Sequence, residues 1–444
     1  MGHDEKLAEL KKRRESALAM GPEKRHAART AGGVLSARAR ADYILDEGSF
    51  HEVGLLAVSE HPADRERSAA DGYVCGFGKI DGREVALSAA DFTTLGASSA
   101  IIAGKKLRYL SEVARVNGLP QVLLSECAGG RMPDIMGARG MGRVAEGLRY
   151  ARRRETPWAC AVLGQAYGNG TWQAMYSDFV VMRKGAVMAV SSPRVTSVAL
   201  GEDMDPQELG GWEVHAKKTG LIDAVAESDE QALDLIRGFL SYLPSHAGEA
   251  PPRAEVPAGA GEAGAGVGDL VPTERTRGYD IRKVIRALVD KDSYFPLKED
   301  FGRVAVTALA RLDGRSVGII ATNPMFKGGA LDVEACEKII SFIVLCDSFN
   351  VPLILLADTP GFLVGSKAEH ERVGAKIINF LQALDLATVP KFSVILRKSY
   401  GQAYINMGGG RSDEMAAWPG AEIGFMEPGT GVNVVFGVRK EDDP

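Results

Sequence analysis

At 444 residues the chain is too long for one ordinary hydrophobic core and fits two domains of about 200 residues each. A hydrophobic content of 45%, a charged content of 25% and a formal net charge of −5 are those of a soluble globular protein and give no basis for nucleic-acid binding. Asp347, Asn350 and Asp358 interrupt the best candidate for a membrane span, and the charged stretch Met1–Arg14 lacks the apolar core of a secretory leader, so a location away from the membrane is expected.

Residues 4–45 read as helical and basic, with Arg13, Arg14, Lys24, Arg25, Arg29, Arg38 and Arg40 set among alanines. A packing arm with a solvated face is the first reading, and a share in binding a phosphorylated ligand the second. Strands are then predicted over 84–87, 122–124 and 160–163, with helices over 98–116 and 141–153. The stretch 246–278, rich in Pro, Ala and Gly and without apolar periodicity, reads as a linker between domains 1–245 and 279–444. Beyond it the pattern returns: strands over 317–320, 353–357 and 392–396, helices over 333–349 and 369–386, and a glycine turn opening another helix near Gly401. Apolar strands alternating with amphipathic helices predict an α/β fold with parallel sheets and helical crossovers in each half.

The two halves are copies. Ile80-Asp81-Gly82-Arg83 recurs as Leu312-Asp313-Gly314-Arg315, an offset of 232 (312 − 80), and Pro120–Leu124 falls on Pro352–Leu356 at the same offset. After one extra residue, Tyr167-Gly168-Asn169-Gly170 falls on Tyr400-Gly401-Gln402-Ala403. Such a duplication implies two similar subdomains and a site built by symmetry between them.

In both copies an apolar strand ends in a glycine turn that opens a short helix. The first turn of a helix carries unpaired N–H groups and the positive end of the dipole, which suits negative charge developing on oxygen. Two such turns could stabilise two oxyanions; a purely structural turn is the competing reading. Upstream, Ser125-Glu126-Cys127-Ala128-Gly129-Gly130-Arg131 matches Asp358-Thr359-Pro360-Gly361-Phe362, and glycine there admits either a ligand or a neighbouring chain close to the backbone. Arg131 could meet a phosphate or carboxylate, or simply be solvated.

Other chemistries fail on spacing. The five cysteines, Cys75, Cys127, Cys160, Cys336 and Cys346, contain no C-x-x-C pair, which argues for a reducing cytoplasm and for Cys127 as a buried structural thiol. Seven histidines show no metal-ligand spacing, and no protein-bound metal is expected. Gly104-Lys105 is followed by Lys106 where a P-loop needs Ser or Thr, and Ala145 occupies the third Rossmann glycine after Gly140 and Gly142.

Ala321-Thr322-Asn323-Pro324, Gly329-Ala330-Leu331-Asp332, Cys346–Leu353 and Asp358–Leu363 together resemble the carboxyltransferase (β) subunit of biotin-dependent acyl-CoA carboxylases, of the propionyl-CoA and acetyl-CoA carboxylase type. Leu45–Phe50, Gly201-Glu202-Asp203 with Glu208–Gly211, Leu240–Ser245 and Trp418-Pro419 extend the likeness over nearly the whole chain, in order. The resemblance implies two crotonase-like spiral domains, a hexamer built of dimers with active sites at dimer interfaces, acyl-CoA on the N-domain side and carboxybiotin on the C-domain side. It implies transfer of a carboxyl group from biotin N1′ to the thioester α-carbon, with departing biotin taking the α-proton. It also implies a separate partner, a biotin carboxylase with its biotin carboxyl carrier, because no A-M-K-M biotinylation motif occurs in the chain. The alternatives are a biotin-dependent decarboxylase or transcarboxylase subunit, and a non-catalytic scaffold.

By the same resemblance Gly168, Asn169 and Gly170 face the thioester, and Gly401, Gln402 and Ala403 face biotin. Tyr167, Gly129, Gly130 and Arg131 join the first site, and Tyr400, Gly361, Phe362 and Ile405 the second. Ile405 stands where this family places Asp or Ile to help set acyl-chain preference. Both turns depart from the usual Gly-Gly, through Asn169 and Gln402, and the family's D-S-G-G-A-R has become Glu126–Arg131. Family members usually continue for tens of residues past the position of Val438, so a shortened C-terminal domain is expected.

Overall fold

The computed structural model describes residues 2–145, 152–262 and 264–437. The chain divides into two compact units, one ending at Gly248 and the other beginning at Glu249.

In the first unit β1 (His51–Glu52), β2 (Tyr73–Ile80), β3 (Arg83–Ala90), β4 (Gln121–Cys127), β5 (Trp158–Tyr167), β6 (Phe179–Arg183) and β8 (Ala224–Ala226) lie in the order 1-2-3-4-5-6-8, and β7 (Val187–Ala189) pairs with the end of β5. Every residue of β4 is buried, as a central parallel strand covered on both faces requires. The helices Ile101–Asn117 and Asn169–Tyr176 make the crossovers that follow β3 and β5. Phe179 and Phe239 stack with ring centroids 4.6 Å apart, seating the helix Asp229–Ser241 on β6.

The second unit repeats the plan with β9 (Phe295–Leu297), β10 (Ala305–Leu312), β11 (Arg315–Thr322), β12 (Leu353–Thr359), β13 (Lys391–Tyr400), β14 (Glu414–Ala417) and β15 (Glu422–Gly424). The order is 14-13-12-11-10-9, with β15 on the end of β13 as β7 is on β5. Its core gathers Ile281, Val284 and Ile285 from the helix Ile281–Leu288 against Ile319 and Leu356. Residues 249–278 belong to this unit: Val267 joins the core, and Arg397 donates to the carbonyls of Pro272, Glu274 and Arg277.

The structure corrects two expectations. The sheets are mixed, because β2–β3 and β10–β11 are antiparallel hairpins. The physical cause is the repeated Asp-Gly itself. Asp81 and Gly82 have φ of 52° and 79°, Asp313 and Gly314 of 51° and 72°, the two positive values of a tight turn that only antiparallel strands can share. Each turn is pinned by one carboxylate, Asp46 accepting from the amides of residues 81 and 82 and Asp290 from those of 313 and 314. Second, the helix predicted over 369–386 is two, Ser366–His370 and Val373–Leu386, broken at left-handed Arg372. Of the helix predicted over 141–153, Gly137–Ala145 is observed, and residues 146–151 lie outside the described ones.

Candidate active site

β5 ends at buried Tyr167, and Gly168 turns the chain with φ 55° and ψ −108°, a region open to glycine and strained for other residues. The Gly168 N–H is taken, donating to Ala189 O at 3.2 Å, while Trp172 N donates to Gly168 O and closes the first helical turn. The next two amides, of Asn169 and Gly170, head the helix, where a helix has no acceptor of its own. Gly170 must be small: a Cβ there would lie 3.0 Å from Cys127 Cβ and 3.1 Å from Ala166 Cβ. Asn169, Gln173 and Tyr176, spaced along one helix face, border a cavity of about 480 Å³ in the first unit, which Leu107, Leu123 and Trp158 also line.

The second unit builds the same turn. Tyr400 is buried at the end of β13, its hydroxyl donating to Glu422 on β15 at 2.6 Å, and Gly401 has φ 60°. A Cβ on Gly401 would stand 3.0 Å from Phe425 O. Gln402 and Ala403 follow in the first helical turn. The two side chains that replace glycine behave differently. Gln402 Nε2 donates to Asn406 Oδ1 at 3.0 Å, and Asn406 Nδ2 to Ile377 O at 2.8 Å, so the amide is tied down within its unit. Asn169 Oδ1 has no hydrogen-bond partner among the described residues. Ile405 is half-buried on the Gly401–Asn406 helix.

The glycines of the upstream loop share one backbone clasp in both copies. Ser99 N donates to Gly129 O and Arg131 N to Ser99 O; 232 residues on (331 − 99), Leu331 N donates to Gly361 O and Leu363 N to Leu331 O. Gly129 and Gly361 both have positive φ, 107° and 134°, and a Cβ on Gly130 would meet Ile135 Cδ1 at 2.6 Å. Gly130 and Phe362 are paired as bridges to Ser99 and Leu331. Arg131 is buried, with its guanidinium on Asp71 Oδ1 at 2.6 Å and Ser98 Oγ at 3.2 Å.

Several charged positions escaped the sequence reading. Glu126, at the end of β4, accepts from Arg29 and Arg40, each at 2.6 Å, and Arg40 also binds Asp229 at 2.8 Å. Burial alone would lower the Arg40 pKa, but Glu126 and Asp229 outweigh it and hold the guanidinium charged. Arg29 and Arg40 thus fasten the N-terminal arm, as its first reading had it. Asp358, the counterpart of Glu126, takes Arg397 and Lys398 at 3.0 and 3.4 Å. The repeat offset, applied to charged residues within apolar strands, is the signal that could have found them. All five cysteines are buried, Cys127 among them, and burial pushes the thiols of Cys75 and Cys160 up to about 11 and about 12. Among the described residues there is no cluster of three His, Cys, Asp or Glu side chains able to hold a metal, and no helix long and apolar enough to cross a membrane.

Residues 28–444 match the carboxyl transferase domain family. The propionyl-CoA carboxylase carboxyltransferase subunit of Haloferax mediterranei is 36% identical over 457 positions, covering 100% of this chain and 88% of that protein. The methylmalonyl-CoA carboxyltransferase 12S subunit of Propionibacterium freudenreichii subsp. shermanii is 36% identical, covering 100% and 85%. Among solved structures, a transcarboxylase 12S hexamer with hydrolysed methylmalonyl-coenzyme A bound superposes with a TM-score of 0.91 at 33% identity, over 100% of this chain and 88% of that one. The resemblance carried by the sequence motifs and the two-unit α/β architecture thus agree with the comparisons: the chain belongs to the carboxyl transferase domain family, with its crotonase-like fold.

Proposed function

We propose that this chain transfers a carboxyl group from carboxybiotin to the α-carbon of an acyl-CoA thioester, as the carboxyltransferase subunit of a biotin-dependent acyl-CoA carboxylase. The observation that carries the reading is the doubled turn: Gly168 and Gly401, each with left-handed backbone, each end a buried strand and head a helix at matching places in two duplicated units. A reaction in which negative charge develops on two separate oxygens uses two such sites.

The first unit, which ends at Gly248, serves the thioester, and the second, which begins at Glu249, the biotin. The amides of Asn169 and Gly170 receive the charge that grows on the thioester oxygen as the α-proton leaves, and release it as the new carbon–carbon bond forms and the carbonyl is restored. Gly129, Gly130, Arg131 and Tyr167 support that site, and Gly361, Phe362, Tyr400 and Ile405 the other. The residues of the second turn fit a flat ureido ring: Gly401 leaves the approach bare of a side chain, Gln402 is held aside by Asn406, and the amides of Gln402 and Ala403 head the helix. Carboxybiotin, on a separate carrier, supplies the carboxyl group and then a basic nitrogen. With that base brought in, the chain needs no histidine or carboxylate as a proton acceptor.

The hexamer named for the transcarboxylase 12S structure supports a homo-oligomer here; the partners in this reading are a biotin carboxylase and its carrier. The 0.91 TM-score to that structure also favours a second reading, in which the same chemistry runs in a transcarboxylase and the partner is a second carboxyltransferase. Activity against a panel of acyl-CoA esters, with a biotinylated carrier and its carboxylase supplied, tests the first reading. Carboxylated product that forms only when the carrier is present supports it; no product from any ester, or full turnover with ATP and bicarbonate alone, defeats it.

A further inference from the structure

β7 is only three residues long, yet it is the rail on which the first turn rests. Ala166 and Tyr167 pair with Met188 and Ala189, and Ala189 O receives both Gly168 N at 3.2 Å and Thr171 Oγ1 at 2.6 Å. The position of Ala189 O therefore sets where the Asn169 and Gly170 amides point. A strand this short is fixed by what holds its other side.

That other side is held by His215. The residue lies in the π-helical turn Val214–Thr219, a rare backbone form that often accompanies function. Its ring is buried and both nitrogens are engaged: Nε2 stands 2.8 Å from Met188 O, and Nδ1 stands 3.0 Å from Thr219 Oγ1. A carbonyl can only accept, so Nε2 carries the proton. Nδ1 then accepts from the Thr219 hydroxyl, whose oxygen in turn accepts from Leu221 N at 3.4 Å. Burial lowers the His215 pKa and keeps the ring in this neutral form. The neighbouring backbone is shaped to admit the ring. A Cβ on Gly210 would lie 2.1 Å from Met188 O and 3.3 Å from His215 Nε2, and Gly211 bridges to Val187 on the same strand.

We propose that His215 is a positioning residue for the first turn: through Met188 O it holds β7, and through Ala189 O it aims the amides of Asn169 and Gly170 at the thioester oxygen. The inference rests on the reading of that turn as the thioester site. The buried His215 ring has both nitrogens engaged by protein atoms, so its effect is expected on the reaction step and not on binding.

The test measures kcat and KM for acyl-CoA in the complete assay with carboxylated carrier, for His215→Phe, His215→Gln, Thr219→Val and Gly168→Ala, with thermal unfolding of each. Glutamine keeps an Nε2 donor near Met188 O; phenylalanine removes it. The expected result is a fall in kcat of about tenfold or more for His215→Phe with KM within about twofold, since small misplacements of a donor are costly. His215→Gln recovers most of the loss, and Thr219→Val loses kcat to a lesser degree. If His215→Phe does not fold, the glutamine and valine variants carry the test. Wild-type kcat in Thr219→Val overturns the proposal, as does a loss in His215→Phe that glutamine fails to relieve or that follows the loss of folded protein. Intact turnover in Gly168→Ala defeats the reading of the turn instead; an impaired Gly168→Ala beside a normal His215→Phe defeats only the role of the histidine.

Discussion

Lys106 and Lys338 occupy one place in the two copies, 232 residues apart (338 − 106), and do the same thing. Lys106 Nζ donates to the carbonyls of Ala70 and Tyr73, both at 2.7 Å; Lys338 Nζ donates to those of Phe301 and Ala305 at 3.0 and 2.9 Å. Tyr73 and Ala305 open the hairpins β2–β3 and β10–β11, so each ammonium ties a crossover helix to the start of its sheet. Both lysines are buried. They are cross-braces held by carbonyl dipoles, and among the described residues neither has a carboxylate partner in hydrogen-bond contact.

Burial lowers the Lys338 pKa from 10.5 to about 7. Between those values the unfolded chain binds the proton more readily than the folded one, so this group makes stability rise with pH from about 7 to 10.5 and adds no slope below. Lys338→Met should flatten that part of the profile, because methionine does not titrate. At neutral pH the variant also leaves two carbonyls unbonded, at about 1–3 kcal/mol each if water cannot reach them. Denaturant midpoints of wild type and variant at pH 7.5 and 9.5 check this; equal slopes for the two proteins would refute it.

Gly168 and Gly401 should each refuse a side chain. Alanine at φ near +60° is strained by about 1–2 kcal/mol, and at Gly401 it also crowds Phe425 O. The enzyme should fold and assemble but lose turnover by about 10²–10³, the usual effect of one displaced oxyanion donor. Proline at 168 should act differently from a simple loss of donor, since the Gly168 N–H already belongs to Ala189 O; it should shift the whole turn. Single-turnover carboxyl transfer measures both variants, and near-normal rates in both would remove the turns from the mechanism.

Much of the architecture was legible because the chain carries its own comparison. The apolar cores of β4, β5, β12 and β13 are visible as hydrophobic runs, and the repeat alone sets Gly168 against Gly401. The hairpins are written in Asp81-Gly82 and Asp313-Gly314, whose turn chemistry is as local a signal as the register that they mark. The break at Arg372 has no signal in the sequence, because local preference disfavours a left-handed arginine. His215 has one partner close in sequence, Thr219 four residues on, but that pair alone points to no site. Met188 O lies 27 residues upstream (215 − 188), and only the fold brings it to the ring.

Glu126 should be among the costliest surface-remote substitutions in the first unit. Replacing it by leucine leaves the Arg40 guanidinium, fully buried, with Asp229 alone, and frees Arg29 and the arm it anchors. Removing one partner of a buried ion pair costs about 3–5 kcal/mol. Chemical denaturation should register a loss of that size, and limited proteolysis should cut the segment Glu23–Ala31 sooner than in wild type. A change below about 1 kcal/mol would mean that the carboxylate is dispensable to the network.

Ile405 is the position where substrate choice should respond without loss of the fold. It lies four residues after Gly401 on the same short helix, hence one turn along on the same face, and is half-buried. Isoleucine there offers an apolar wall near the second turn. Aspartate would replace it with a charge that an apolar chain must desolvate, while leaving the turn's own backbone intact. Pockets that sense one methylene discriminate by about 1–3 kcal/mol, so Ile405→Asp should lower kcat/KM for longer acyl groups by about tenfold or more relative to short ones. Ratios of kcat/KM across acetyl-, propionyl- and butyryl-CoA measure the effect. A uniform fall for all three would assign Ile405 to packing, and an unchanged ranking would remove it as a selector.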